Sequence, residues 1–81
     1  MNNYKLLFFG WLSEQTRCRE TTWESKANNC RDLLAELVSH YQMDEERTRH
    51  FNVAVNDEYA SMETTLSNGD LVVFIPPVAG G

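Results

Sequence analysis

One amphipathic stripe limits what this chain can become. Cys30, Leu33, Leu34, Leu37, Val38 and Tyr41 recur at i, i+3, i+4, i+7, i+8 and i+11, which lines all six along one side of a helix. Asn29 is suited to cap its start, and Asp32 puts an acid where the helix dipole favours one. Each leucine buried on the stripe contributes roughly 1.5–3 kcal/mol, so the helix must lie on an apolar partner. With 81 residues there is room for one domain and one core, and the other apolar segments read as strands. The economical solution is one sheet face covered by one main helix.

The strands follow in order. Tyr4 to Phe9 is aromatic and aliphatic and is closed by Gly10; Trp11 to Gln15 reads as a short helical turn or wide loop. Arg17 to Glu24 reads as a returning strand, with Cys18 within it and Thr21, Thr22 and Trp23 favouring β structure. Its polar character suits a sheet edge. Asp44 to Arg49 is expected to be a solvated turn or helical extension with a salt-bridged face. Phe51 to Asn56 alternates like a strand and ends in a turn around Asn56-Asp57-Glu58. Leu66 to Asp70 is a turn centred on Asn68-Gly69, feeding the last strand, Leu71 to Ile75. The expected order is strand, strand, helix, strand, strand.

Two of these strands are apolar on both faces. Tyr4, Leu6 and Phe8 oppose Leu7 and Phe9, while Val72 and Phe74 oppose Leu71, Val73 and Ile75. One helix covers one sheet face, so either these are central strands shielded by loops or they leave an apolar patch for a partner.

The net charge of −5 lacks the basic footprint that phosphate contacts require, which argues against a nucleic-acid partner. The chain contains no segment of membrane-spanning length, and Met1-Asn2-Asn3-Tyr4-Lys5 does not open a signal peptide, so the cytoplasm is the expected compartment. Cys18, Cys30, His40 and His50 have no metal or redox spacing, and neither a metal site nor a disulfide is expected. Cys30 reads as a small apolar residue packed on the helix.

The last strand runs directly into Pro76-Pro77 and then Val78-Ala79-Gly80-Gly81. Proline lacks a backbone donor, so strand pairing should fail there and residues 76–81 should form an extended, flexible tail beyond a domain of residues 1–75. The final residues are slim enough to thread a narrow channel and deliver the Gly81 carboxylate to another protein's active site. Gly-Gly alone is also a common harmless end. Here it follows two prolines launched from an apolar strand.

These residues resemble the small, sulfur-carrier subunits of molybdopterin synthase. The likeness rests on Leu6-Leu7-Phe8-Phe9, Ala54-Val55-Asn56, Leu66-Ser67-Asn68-Gly69-Asp70 and the run Phe74-Ile75-Pro76-Pro77-Val78-Ala79-Gly80-Gly81; residues 18–49 are generic. The resemblance implies an α+β, ubiquitin-like β-grasp with a mixed sheet. It implies that an ATP-using, ubiquitin-activating-like adenylyltransferase adenylates Gly81 and that a sulfur donor converts it to a thiocarboxylate. The tail, Pro76 to Gly80, would then insert into the large subunit of a heterotetrameric synthase. There the sulfur passes to cyclic pyranopterin monophosphate in molybdenum cofactor biosynthesis. No tightly bound cofactor is implied, and the catalytic groups would belong to the large subunit. Phe9, Tyr59 and Ile75 match the family's docking positions, although Ile75 stands where phenylalanine is frequent and Ser13 where a basic residue is common. Tyr59 is equally consistent with a partly buried sheet residue.

Two other functions fit a Gly-Gly end. A protein modifier would join Gly81 to target lysines, and a plain interaction module would carry an inert tail. Pro-Pro before the tail favours the carrier.

Overall fold

The computed structural model describes residues 1–77. The expectations for Val78, Ala79, Gly80 and Gly81 lie outside the described residues. Five strands and three helices follow in the order β1 (Asn2–Phe8), α1 (Trp11–Thr16), β2 (Glu20–Ser25), α2 (Cys30–Tyr41), α3 (Glu45–Thr48), β3 (Asn52–Val55), β4 (Glu58–Ala60) and β5 (Leu71–Ile75). The sheet order is β2-β1-β5-β3-β4, and only β1 and β5 run parallel. A mixed sheet packed on one long helix is the ubiquitin-like β-grasp expected from the sequence.

The two strands that are apolar on both faces are the central pair. Alternation divides them cleanly. Tyr4, Leu6 and Phe8 of β1 and Val72 and Phe74 of β5 are buried, joined by Val53 of β3. From the other layer come Cys30, Leu33 and Leu37 of α2 and Leu12 of α1. Tyr4 is wholly enclosed, and its hydroxyl donates to the Ala27 carbonyl at 2.6 Å, which removes the cost of burying that polar atom. Leu34, Val38 and Tyr41 complete the helical stripe as half-buried flanks.

Local chemistry sets the element ends. The Asn29 side chain accepts the Asp32 amide at 2.8 Å, as an N-cap should. At the far end Gln42 takes the left-handed conformation, and the Met43 amide returns to the Val38 carbonyl at 2.9 Å. The Asn68-Gly69 turn locks onto the start of β1. The Asn3 amide donates to the Asn68 side chain, and the Gly69 amide donates to the Asn3 carbonyl, both at 2.7 Å. Gly69 has φ +90°, which a side chain would strain.

Three expectations change. Residues 58–60 form a short fifth strand against β3, made possible by Asn56 and Asp57 both adopting positive φ in the tight turn between them. β2 begins only at Glu20, so Cys18 sits in the connection after α1 rather than in a strand; Arg17, with φ +61°, ends the helix and delays pairing. Asp44 to Arg49 contains a separate one-turn helix, capped by Asp44 and carrying an Arg49–Glu46 pair at 3.3 Å. Both cysteines are free thiols.

Leu33→Ala, at a fully enclosed position, should cost about 2–5 kcal/mol in urea unfolding, and the half-buried Leu34→Ala distinctly less. A pH dependence follows from two raised groups. Burial and then the nearby Asp70 push the Cys30 thiol above its ordinary 9.0, and burial and then Cys18 push the Tyr41 hydroxyl above 10.0. The folded chain thus holds these protons where the unfolded chain releases them. Stability should be full below about pH 9 and fall as pH rises further, with Cys30→Ala showing a shallower decline in the same titration.

Candidate functional site

The sheet face away from the helices is built by the odd positions of β1 and β5. Register places Glu20, Leu7, Val73, Ala54 and Tyr59 in one row across all five strands, since each pairs with the next. Leu7, Leu71, Val73 and Ile75 are half-buried, so no helix or loop seals this face. Phe9 is 55% exposed and Tyr59 84% exposed, which resolves Tyr59 as a surface residue. Large aromatics seldom stay this open without a partner to cover them when they share a face with other apolar side chains.

Phe9 and Ile75 each directly follow the Phe8–Phe74 pair, where the β1–β5 ladder ends. Tyr59 shares their face but lies two strands from β5, opposite Ala54. The three sequence-nominated contact residues thus occupy one surface, with two of them at the tail end. Charge sits at the β2 margin. Glu20 and Glu24 pair with Leu7 and Asn3, and Lys5 reaches Glu20 at 3.9 Å. Apart from Asn3 and Lys5 of β1, the central strands present Leu7, Leu71, Val73 and Ile75 on this face, which suits contact rather than acid–base work. Among the described residues no three His, Cys, Asp or Glu side chains converge to hold a metal ion.

β5 gives the tail its starting point. Pairing stops at Ile75, Pro76 is half-buried and Pro77 is exposed. Pro76 lies against Gly10, where an added Cβ would stand 3.9 Å from the proline ring. Gly10 itself has φ +56° and ψ −137°, a conformation nearly confined to glycine. Ser13 closes the same turn, its hydroxyl donating to the Gly10 carbonyl at 2.8 Å. A shallow depression lined by Leu7, Phe9, Gly10, Ser13, Arg19 and Glu20 runs beside this turn. The sequence did not single out Gly10 beyond ending a strand, because its conformation depends on how α1 starts.

Against this geometry, the sequence pattern described as the ThiS family matches residues 6–81. The chain belongs to that family. It is similar to the molybdopterin synthase sulfur carrier subunit of Mycobacterium tuberculosis, 33% identical over 85 residues and covering all of both chains. Its fold matches SAMP1, a small archaeal modifier protein, of Haloferax volcanii with a TM-score of 0.81 at 26% identity, covering 99% of this chain and 100% of that one. It also matches a chain in the complex of subunits 1 and 2 of molybdopterin-converting factor from Helicobacter pylori. There the TM-score is 0.64 at 26% identity, with 98% and 99% of the two chains covered. Family membership spans the sheet, the helix and the tail together.

Two substitutions separate the tail root from the exposed face. Gly10→Ala should cost about 1–3 kcal/mol because its backbone conformation excludes a side chain. Tyr59→Ala should stay within about 0.5 kcal/mol of the parent protein in the same urea titration, since the ring is mostly solvated.

Proposed function

We propose that this chain is the sulfur-carrier subunit of a molybdopterin synthase, working in the cytoplasm with a large catalytic subunit. The observation that carries the reading is full-length similarity, at 33% identity, to a protein of that name, within a shown family. The Helicobacter pylori complex of two converting-factor subunits supports a large-subunit partner. In this reading the assembly is a heterotetramer, and Phe9, Tyr59 and Ile75 contribute to the docking face.

The chemistry belongs to Gly81. A carboxylate is a poor electrophile, so an adenylyltransferase first attacks the α-phosphate of ATP with it, expelling pyrophosphate and leaving an acyl-AMP whose AMP departs readily. A sulfur donor displaces the AMP and yields a thiocarboxylate, ionised near neutral pH and a competent sulfur nucleophile. This chain binds no cofactor tightly and supplies no acid, base or nucleophile from a side chain; the large subunit does. Its own contribution is delivery. The six residues from Pro76 to Gly81 span at most about 20 Å when extended, so docking must bring the partner's pocket within that reach of Ile75. Pro76, Pro77, Val78, Ala79 and Gly80 fill the approach, and slim side chains admit them to a narrow channel. The acceptor is cyclic pyranopterin monophosphate.

The likeness to an archaeal modifier protein favours a second reading, in which Gly81 forms an isopeptide bond with target lysines. Intact-mass measurement of chain purified from its own cells, with the activating enzyme and sulfur donor present, distinguishes them. A species heavier by the difference between sulfur and oxygen, absent when Gly81 is deleted, is the expected result. Unmodified mass alongside a ladder of protein conjugates would replace the carrier with the modifier. In a binding titration, Tyr59→Ala should weaken the large-subunit complex by more than about 1 kcal/mol despite its neutral effect on folding.

A further inference from the structure

β5 leaves the sheet between two neighbours whose chains meet behind it. On one side β1 continues through Phe9 and Gly10 into Trp11; on the other, Phe51 immediately precedes β3. The Trp11 and Phe51 rings stand 5.5 Å apart, inclined at 51°. Arg47 of α3 lies over the outer side of this pair, its guanidinium carbon 3.9 Å from the Trp11 ring centre. Phe51 is buried in the core, Trp11 is half-buried and Arg47 is exposed, so the stack runs from the interior to the surface. Its two anchors adjoin the tail root: Asn52, next to Phe51, pairs with Ile75, and Gly10, next to Trp11, faces Pro76.

We propose that Trp11, in contact with both Arg47 and Phe51, is a positioning residue that fixes the direction in which the chain leaves the sheet at Ile75 and Pro76. The proposal rests on the carrier reading for its consequence and on this contact geometry for its cause. A tether magnifies an error at its root. A swing of about 20° at Pro76 displaces a tip about 20 Å away by about 7 Å. Two successive prolines have fixed φ, which narrows the directions the chain can take from its root. Phe51 and Trp11 pack with the core on the helix side, whereas Tyr59 lies on the other face of the sheet. Altering the stack should therefore change how often the carboxylate arrives correctly, not how tightly the chain docks.

The test uses the full chain with Trp11→Leu, which keeps apolar bulk but loses the ring face, and Trp11→Phe, which keeps a ring. The first readout is the nuclear Overhauser contact between Gly10 and Pro76 in the free protein. The second is single-turnover sulfur transfer from the thiocarboxylated chain to the pterin precursor on the large subunit, beside the Kd for that subunit. Trp11→Leu should weaken the Gly10–Pro76 contact and slow transfer about tenfold while Kd moves less than about twofold. Trp11→Phe should restore both. Should Trp11→Leu fail to fold, Arg47→Gln at the exposed end provides the same measurement and should shift both readouts in the same direction by a smaller factor. Parental contact and parental transfer in these variants would overturn the proposal, as would a loss of affinity equal to the loss of rate, which would make Trp11 a docking residue. A parent chain that acquires no sulfur despite its activating enzyme and donor would remove the carrier reading. The Gly10–Pro76 contact would still decide whether Trp11 fixes the root.

Discussion

The parallel pairing of β1 with β5 is the constraint on which the rest of this fold depends. It places the two most apolar strands at the centre, where each has a neighbour on both sides. Their even-numbered side chains meet α2 and form the core; their odd-numbered ones have no helix to meet. Parallel strands cannot be joined by a tight turn, so everything between them must travel around the sheet. α2 makes that journey and covers the inner face on the way. β2 and the β3–β4 hairpin then protect the two flanks, leaving only short or polar strands at the edges.

The same arrangement separates stability from contact. Substitutions at Tyr4, Leu6 or Leu33 strike closed packing, whereas Phe9 and Tyr59 can change character without opening the core. A small domain has little stability to spare, and these exposed aromatics lie where a substitution leaves the core packing intact. The tail benefits from a related separation. The hydrogen-bonded ladder stops at Ile75, on a strand held from both sides, so pairing ends at a defined point.

Much of this was legible in the sequence. The six-residue stripe of α2 has a period that no strand shares, and Asn29 marks its start. The doubly apolar segments pointed either to central strands or to an apolar patch, and both hold: β1 and β5 are central, and their outer face stays half-open. Phe9 and Ile75 were legible as the odd members of those segments. Whether their face would be sealed was not, since that depends on where the loops travel. β4 escaped notice because Glu58-Tyr59-Ala60 is too short to show a period, and it exists only because β3 presents a free edge. The Arg47–Trp11–Phe51 stack was equally silent. Its members lie in three separate segments, and no local rule links a tryptophan to an arginine 36 positions later.

β5 is the last element of the fold to be synthesised, yet it is the one every other strand needs. Until it forms, β1 has only a polar edge strand for company and the β3–β4 hairpin has no sheet to join. The apolar faces of β1 and α2 must therefore wait through most of translation with their principal partner missing. Folding of this domain is consequently a late, long-range event, and high sequence separation between paired strands makes such closure slow. During that interval the exposed segments are candidates for chaperone binding or for pairing with another nascent copy. A chain truncated before residue 71 would lose its centre rather than its end.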